Sequence, residues 1–297
     1  MGAWSESRTL TGLTWGIVKG NLYMLLFPVV AAVVAAMLVV AVAGVGLGLL
    51  GLTTTAEDYL ATGQVDESPA LFIGLLVLIA AGYLGTLVTQ ICMAGLVSAA
   101  DKELRGEDSS FGAGISAALR HLPALLGWAA IQALVGWLLA ALRNGGQGGS
   151  SIQQAVRIGL AGVAQVAWSV VSFFVLPSIV LRGNGTIRAL RESYAMIRIT
   201  WGMQIAGGVR LGFFVVLLGL LPGIAATVGG VLLLFNEQVG LGIPITALGL
   251  IVITASQVLI STLRAVFSVA LFHYAEDGEA IGPYAADQLQ RSVHVRS

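Results

Sequence analysis

The chain has 297 residues, of which 57% are hydrophobic and only 10% charged; its formal net charge is zero and its mean hydropathy +0.91. A soluble domain carries about 25% charge, so a soluble fold is excluded, and the balanced charge gives no ground for nucleic acid as a partner. One cysteine, Cys92, permits no intramolecular disulfide, and with three histidines (His121, His273, His294) it makes no zinc pattern.

Six long apolar stretches follow one another along the chain, at about 22–52, 70–98, 123–142, 158–181, 211–235 and 244–273. About 20 helical residues, rising about 1.5 Å each, cross a hydrocarbon core of about 30 Å. The pattern predicts an all-α polytopic membrane protein with six transmembrane helices in three hairpins. It forms a single integral membrane domain over 1–297, ending in a short tail at 274–297. The first stretch starts too late and runs too long for a cleaved signal peptide and reads as a retained helix.

Orientation follows from the basic residues, which favour the cytoplasmic side. Arg8 and Lys19, then Lys102, Arg105 and Arg120, then Arg182, Arg188, Arg191 and Arg198, then Arg291 and Arg296 all fall on one side. Only Arg143 and Arg157 fall on the other, where residues 53–69 carry Glu57, Asp58, Asp66 and Glu67. Both termini are therefore expected in the cytoplasm, at the plasma membrane. Before each pair of spans lies a short amphipathic segment, around Leu10–Lys19, Ile115–Leu122 and Ile187–Arg198. Its spacing suits a helix lying in the membrane interface. Two of these segments share a phrase: Leu104-Arg105-Gly106 and Leu181-Arg182-Gly183 are each followed by an Ala-Leu-Arg, at 118–120 and 189–191. The unit of interfacial helix, span, outer turn and span is thus expected three times.

Pro69, Pro123 and Pro244 are expected near helix starts, and Pro28, Pro177 and Pro222 as kinks within spans. Gly44/Gly48, Gly208/Gly212 and Gly219/Gly223 have the four-residue spacing of close helix contacts. Most of the six tryptophans are expected near the membrane interfaces. The glycine-rich run Gly44–Gly51 lacks the preceding strand and following acid of a dinucleotide loop, so it reads as packing. No Asp or Glu lies deep within any span, which argues against a carboxylate proton relay.

The unusual constellation is in the last span. Thr254, Gln257, Ser261, Arg264 and Ser268 recur at three- and four-residue steps, forming one polar stripe. Gln165, Ser169 and Ser172 echo it in the fourth span, and Thr86, Thr89 and Gln90 in the second. An intramembrane arginine costs about 2.5 kcal/mol or more unless satisfied. The stripes therefore mark either a polar cavity between helices or hydrogen bonds that fix packing.

The run Phe173-Phe174-Val175-Leu176-Pro177-Ser178-Ile179-Val180-Leu181, a polar turn, and Ala189-Leu190-Arg191-Glu192-Ser193 resemble a known signature. It is that of an uncharacterised family of six-span prokaryotic integral membrane proteins. More distantly it is similar to the membrane domain joined to some glycerophosphodiester phosphodiesterases. The segment at 5–21 before a long span fits the first group. The resemblance implies fold and topology for most of the chain. It implies no reaction, since the chain holds no phosphodiesterase catalytic domain.

The functional expectation is a non-enzymatic protein that organises lipid or partner proteins through basic interfacial helices carrying Arg8, Lys19, Arg120, Arg188, Arg191 and Arg198. Each cation is worth about 1 kcal/mol near an anionic leaflet. Arg188, Arg191 and Arg198 are the candidate headgroup contacts. The partners expected are membrane lipid and a membrane protein or second copy of the chain, with no cofactor and no metal. The alternative is a transporter or channel for a small polar or anionic solute, using Gln90, Gln165, Gln257, Ser261 and Arg264. An intramembrane enzyme lacks any nucleophile–base or metal set.

Overall fold

The structure is a computed structural model that describes residues 3–49, 69–144, 151–198, 220–278 and 281–283. Every regular element among them is helical: α1 (Ala3–Gly20), a 3-10 turn (Leu22–Leu25), α2 (Leu26–Leu49), α3 (Pro69–Leu104), α4 (Phe111–Leu119), α5 (Leu122–Asn144), α6 (Ser151–Val171), α7 (Val175–Arg182), α8 (Thr186–Met196), α9 (Leu221–Phe235) and α10 (Val239–Asp277). Five stretches are long and apolar enough to cross a membrane: Leu22–Gly48, Phe72–Leu104, Leu122–Asn144, Gln153–Arg182 and Val239–Glu276. The protein is thus a polytopic helical membrane protein. Helix α9 has 15 residues, about 22 Å, and part of the expected fifth span, 211–219, lies outside the described residues.

Pro28 and Pro222 start helices rather than kink them, whereas Pro177 breaks the fourth span, between α6 and α7, as expected. Pro28 and Pro177 are the third residues of α2 and α7, and Pro222 the second of α9. In a first turn the missing N–H has no intrahelical partner to lose. Pro244 corrects the expectation in the other direction: α10 begins at Val239, so Pro244 lies inside it.

Helix α2 packs along α3, and α9 along α10. Helices α3 and α10 contain 36 and 39 residues, about 54 and 58 Å. They outrun the apolar thickness, so their last turns carry Asp101, Lys102, Glu103 and Glu276 beyond it. At that end, here termed the basic end, α1 packs on α10, α4 on α3, and α8 on α7, α5 and α6. Most of the large buried side chains gather there. One cluster contains Met24, Phe27, Leu96, Phe174, Leu271 and Phe272; another contains Ala94, Ala118, Leu125, Trp128, Val175, Ile179 and Ala189. Trp128 belongs to the second cluster. It is 1% exposed and stacks at 5.8 Å on Trp168, whose Nε1 donates to Gln132 Oε1 at 2.7 Å.

The far half of the bundle is built differently. Val40, Val163 and Phe235 are exposed, as lipid-facing side chains would be. Helices α9 and α10 meet through a shared pattern, Gly223…Thr227…Gly230 against Gly242…Thr246…Gly249. Thr227 and Thr246 each donate to the glycine carbonyl four residues earlier, at 2.9 and 2.8 Å. A Cβ at Gly230 would lie 2.5 Å from the Thr246 nitrogen, and one at Gly249 2.5 Å from the Thr227 nitrogen. The two backbones touch where side chains are absent. The expected contact at Gly44/Gly48 is corrected: a Cβ at either meets nothing within 4 Å, whereas Gly46 faces Val77. Gly208, Gly212 and Gly219 lie outside the described residues.

Candidate functional site

The corner between α6, α7 and α8 explains the signature motif. Pro177 cannot continue α6, and the backbone turns at residues 172–174. Ser193, wholly buried on α8, closes the gap. Its hydroxyl donates to the Val171 carbonyl at 2.6 Å and accepts from the Phe174 N–H at 3.2 Å. Neighbouring Glu192 gathers the other side. Its Oε2 accepts from Ser178 Oγ at 2.9 Å and from Asn184 Nδ2 at 2.5 Å, while Oε1 accepts from Arg188 Nε at 3.1 Å. Thr186 anchors the start of α8 by donating to the Ala124 carbonyl of α5 at 2.7 Å. The motif is therefore a polar clamp that ties a short helix to the end of a span.

The repeated Leu-Arg-Gly phrase also has a structural meaning. Gly106 and Gly183 have φ of 76° and 66°, the left-handed conformation that ends helices and that glycine adopts without steric cost. The preceding arginines both reach the last turns of α10. Arg105 pairs with Asp101 at 3.2 Å, and Asp101 is hydrogen-bonded to His273 Nε2 at 2.7 Å. Arg182 pairs with Glu276. The Ala-Leu-Arg phrases match as well: Ala118 and Ala189 are both fully buried in one cluster.

Between these elements lies a cavity of about 640 Å³. The end of α3 contributes Ser98, Asp101, Lys102 and Arg105, while α4 and the turn after it contribute Ser116, Arg120 and His121. Arg182 comes from α7, and His273 and Glu276 from α10. Four arginine and lysine side chains thus face two carboxylates across one wall. In size the cavity falls among ligand sites, which occupy about 300–1,000 Å³.

The residues expected to form a polar seam do not line this cavity. Gln257 is exposed on α10, and Ser261 donates to its own helix at Val258 O, 2.9 Å. Arg264 donates to the Ser169 carbonyl of α6 at 2.7 Å and lies 5.5 Å from the centre of the Phe173 ring. Gln165 is exposed and accepts from Arg143 Nη2 at 3.4 Å. Gln90 is half-buried on α3. Arg188 and Arg191 stand on the exposed face of α8, with Ile187 and Tyr194, and Arg198 is exposed just past its end, while Ala189 and Ser193 of α8 and the following Ile197 pack inward. Arg188 is held by Glu192; Arg191 and Arg198 have no acidic partner among the described residues.

A family model described as a family of unknown function, DUF6159, matches residues 70–282. The chain belongs to that family. Comparison with curated proteins finds no match, and nothing in the DUF6159 match extends to the phosphodiesterase-linked domains. The matched segment holds α3 to α10, including the clamp and every residue on the cavity wall. Sequence reasoning missed the wall as a unit. Its signal was the Leu-Arg-Gly repeat, which placed Arg105 and Arg182 at corresponding helix ends; nothing in the sequence joined them to His273 and Glu276 of a distant span.

Proposed function

We propose that this DUF6159 chain is a six-span, non-enzymatic protein of the plasma membrane, with three helical hairpins and both termini in the cytoplasm. Its basic end organises anionic lipid, or a partner that carries similar charge, at the inner leaflet. The observation that supports this reading most is the convergence of α1, α4 and α8 on one end of the bundle. Lys19, Lys102, Arg105, Arg120, Arg182, Arg188, Arg191 and Arg198 lie there, against only Arg143 and Arg157 at the described far end. A one-sided girdle of cations at the depth where helices leave the apolar layer draws anionic headgroups.

Transport through the Gln/Ser/Arg seam has less support. Arg264 donates an N–H to the Ser169 carbonyl and lies over the Phe173 ring, and Gln257 and Gln165 stand on exposed faces. The lipid reading is tested on Arg191 and Arg198. In nanodiscs mixing phosphatidylglycerol with phosphatidylcholine, R191Q/R198Q should lower the enrichment of phosphatidylglycerol around the protein and flatten its salt dependence. Unchanged enrichment at low and high salt would sink the reading.

A further inference from the structure

The charge on the cavity wall is not balanced. Both carboxylates are engaged by neighbours, Asp101 by His273 and Arg105 and Glu276 by Arg182. Lys102 and Arg120 have no acidic partner among the described residues, yet both face the same cavity, one from α3 and one from the turn between α4 and α5. Ser98 and Ser116 line the same cavity. An ammonium, a guanidinium and hydroxyl donors around one concave space are the chemistry that holds a phosphate group. The guanidinium grips two oxygens, the ammonium acts as a point charge, and neutral donors fill the rest. The two paired carboxylates that line the same cavity repel anions only weakly, because their charge is already met.

We propose that this cavity is a binding site for a phosphate group, with Lys102 and Arg120 as its charged contacts and Ser98 and Ser116 as neutral ones. The phosphate comes either from an anionic lipid headgroup or from a soluble phosphate. The lipid source rests on the placement of this end at the inner leaflet, argued above; the soluble source does not.

The purified full chain tests this in two arms. One measures retention of phosphatidylglycerol by native mass spectrometry after extraction from mixed nanodiscs. The other measures binding of inorganic phosphate in detergent by calorimetry. K102Q/R120Q should weaken the arm that reports the true source about 30-fold, from the loss of two cations at about 1 kcal/mol each, while R143Q/R157Q at the far end leaves that arm unchanged. Loss confined to phosphatidylglycerol identifies a headgroup, and loss confined to inorganic phosphate a soluble ligand. S116E, which sets a carboxylate on an exposed part of the wall, should give the same loss, so the outcome stands even where the glutamine pair folds poorly. Wild-type binding in both arms by folded K102Q/R120Q and S116E overturns the proposal, as does the absence of binding by the wild type. A failed R191Q/R198Q lipid test with an intact cavity effect removes only the broader lipid reading.

Discussion

The basic end and the far half of the bundle hold together by different means. At the basic end large side chains are buried and backbone breaks are closed by side chains, as Ser193 does for residues 171–174. In the far half the helices leave much of their surface exposed and touch through glycines, as α9 and α10 do. The contrast follows from the solvent. Among lipid tails, burying an apolar side chain gains little, since the tails are as apolar as leucine, and close backbone packing supplies the contact. Where helices leave the hydrocarbon, water returns, burial becomes favourable again, and unpaired backbone groups must find partners.

The largest effect should therefore come from the basic end. Ser193→Ala removes one hydroxyl that serves two backbone groups, and each buried group left unpaired costs about 1–3 kcal/mol. A loss of about 2–4 kcal/mol of stability in detergent is expected, with Ser193→Thr retaining part of it. An alanine variant as stable as wild type would show that α8 is not clamped. The next effect belongs to the far half. Gly230→Val inserts a side chain where the Thr246 backbone already lies, and overpacking of this kind costs about 1–3 kcal/mol. It should separate α9 from α10, seen as a lengthened distance between spin labels on the exposed positions Leu232 and Leu250. An unchanged label distance would dissolve the contrast between the two regions.

How much of this was legible in the sequence depends on which force acted. Hydropathy marked the spans because each helix must be apolar over a fixed length, whatever its neighbours. The short helices α1 and α8 were legible from cations set among apolar residues; α4, Phe111–Leu119, carries no cation, and the segment expected at Ile115–Leu122 overlaps only its second half. The seam was read from periodicity alone, and periodicity says which residues share a face without saying what that face meets. Thr254 and Gln257 turned out to be exposed, whereas Ser256, one residue away, is buried beside the glycine stripe of α10. The cavity was not legible, because it depends on α3 and α10 running past the apolar layer together. The apolar pattern stops before either helix does, so it assigns the polar last turns of both to a loop and a tail.

Glycines in α2 sharpen the comparison on the smallest scale. Gly44 and Gly48 have the spacing of a contact motif, but open space surrounds the position of a Cβ at each; Gly46, between them, faces the Val77 side chain of α3. Spacing is shared by all three, so only the neighbour distinguishes them. Gly44→Ala adds a methyl to an exposed helix face and reduces the freedom of the unfolded chain, so it should be neutral or stabilise by up to about 1 kcal/mol. Gly46→Ala gains the same backbone term but forces Val77 to move, and the net effect should be a loss of up to about 1 kcal/mol, less than at Gly230, where backbone rather than a side chain is in the way. Thermal unfolding of the two variants in one detergent measures the difference directly. Equal transitions for Gly44→Ala and Gly46→Ala would mean that α2 and α3 do not pack in this register, and that the four-residue pattern was the better guide.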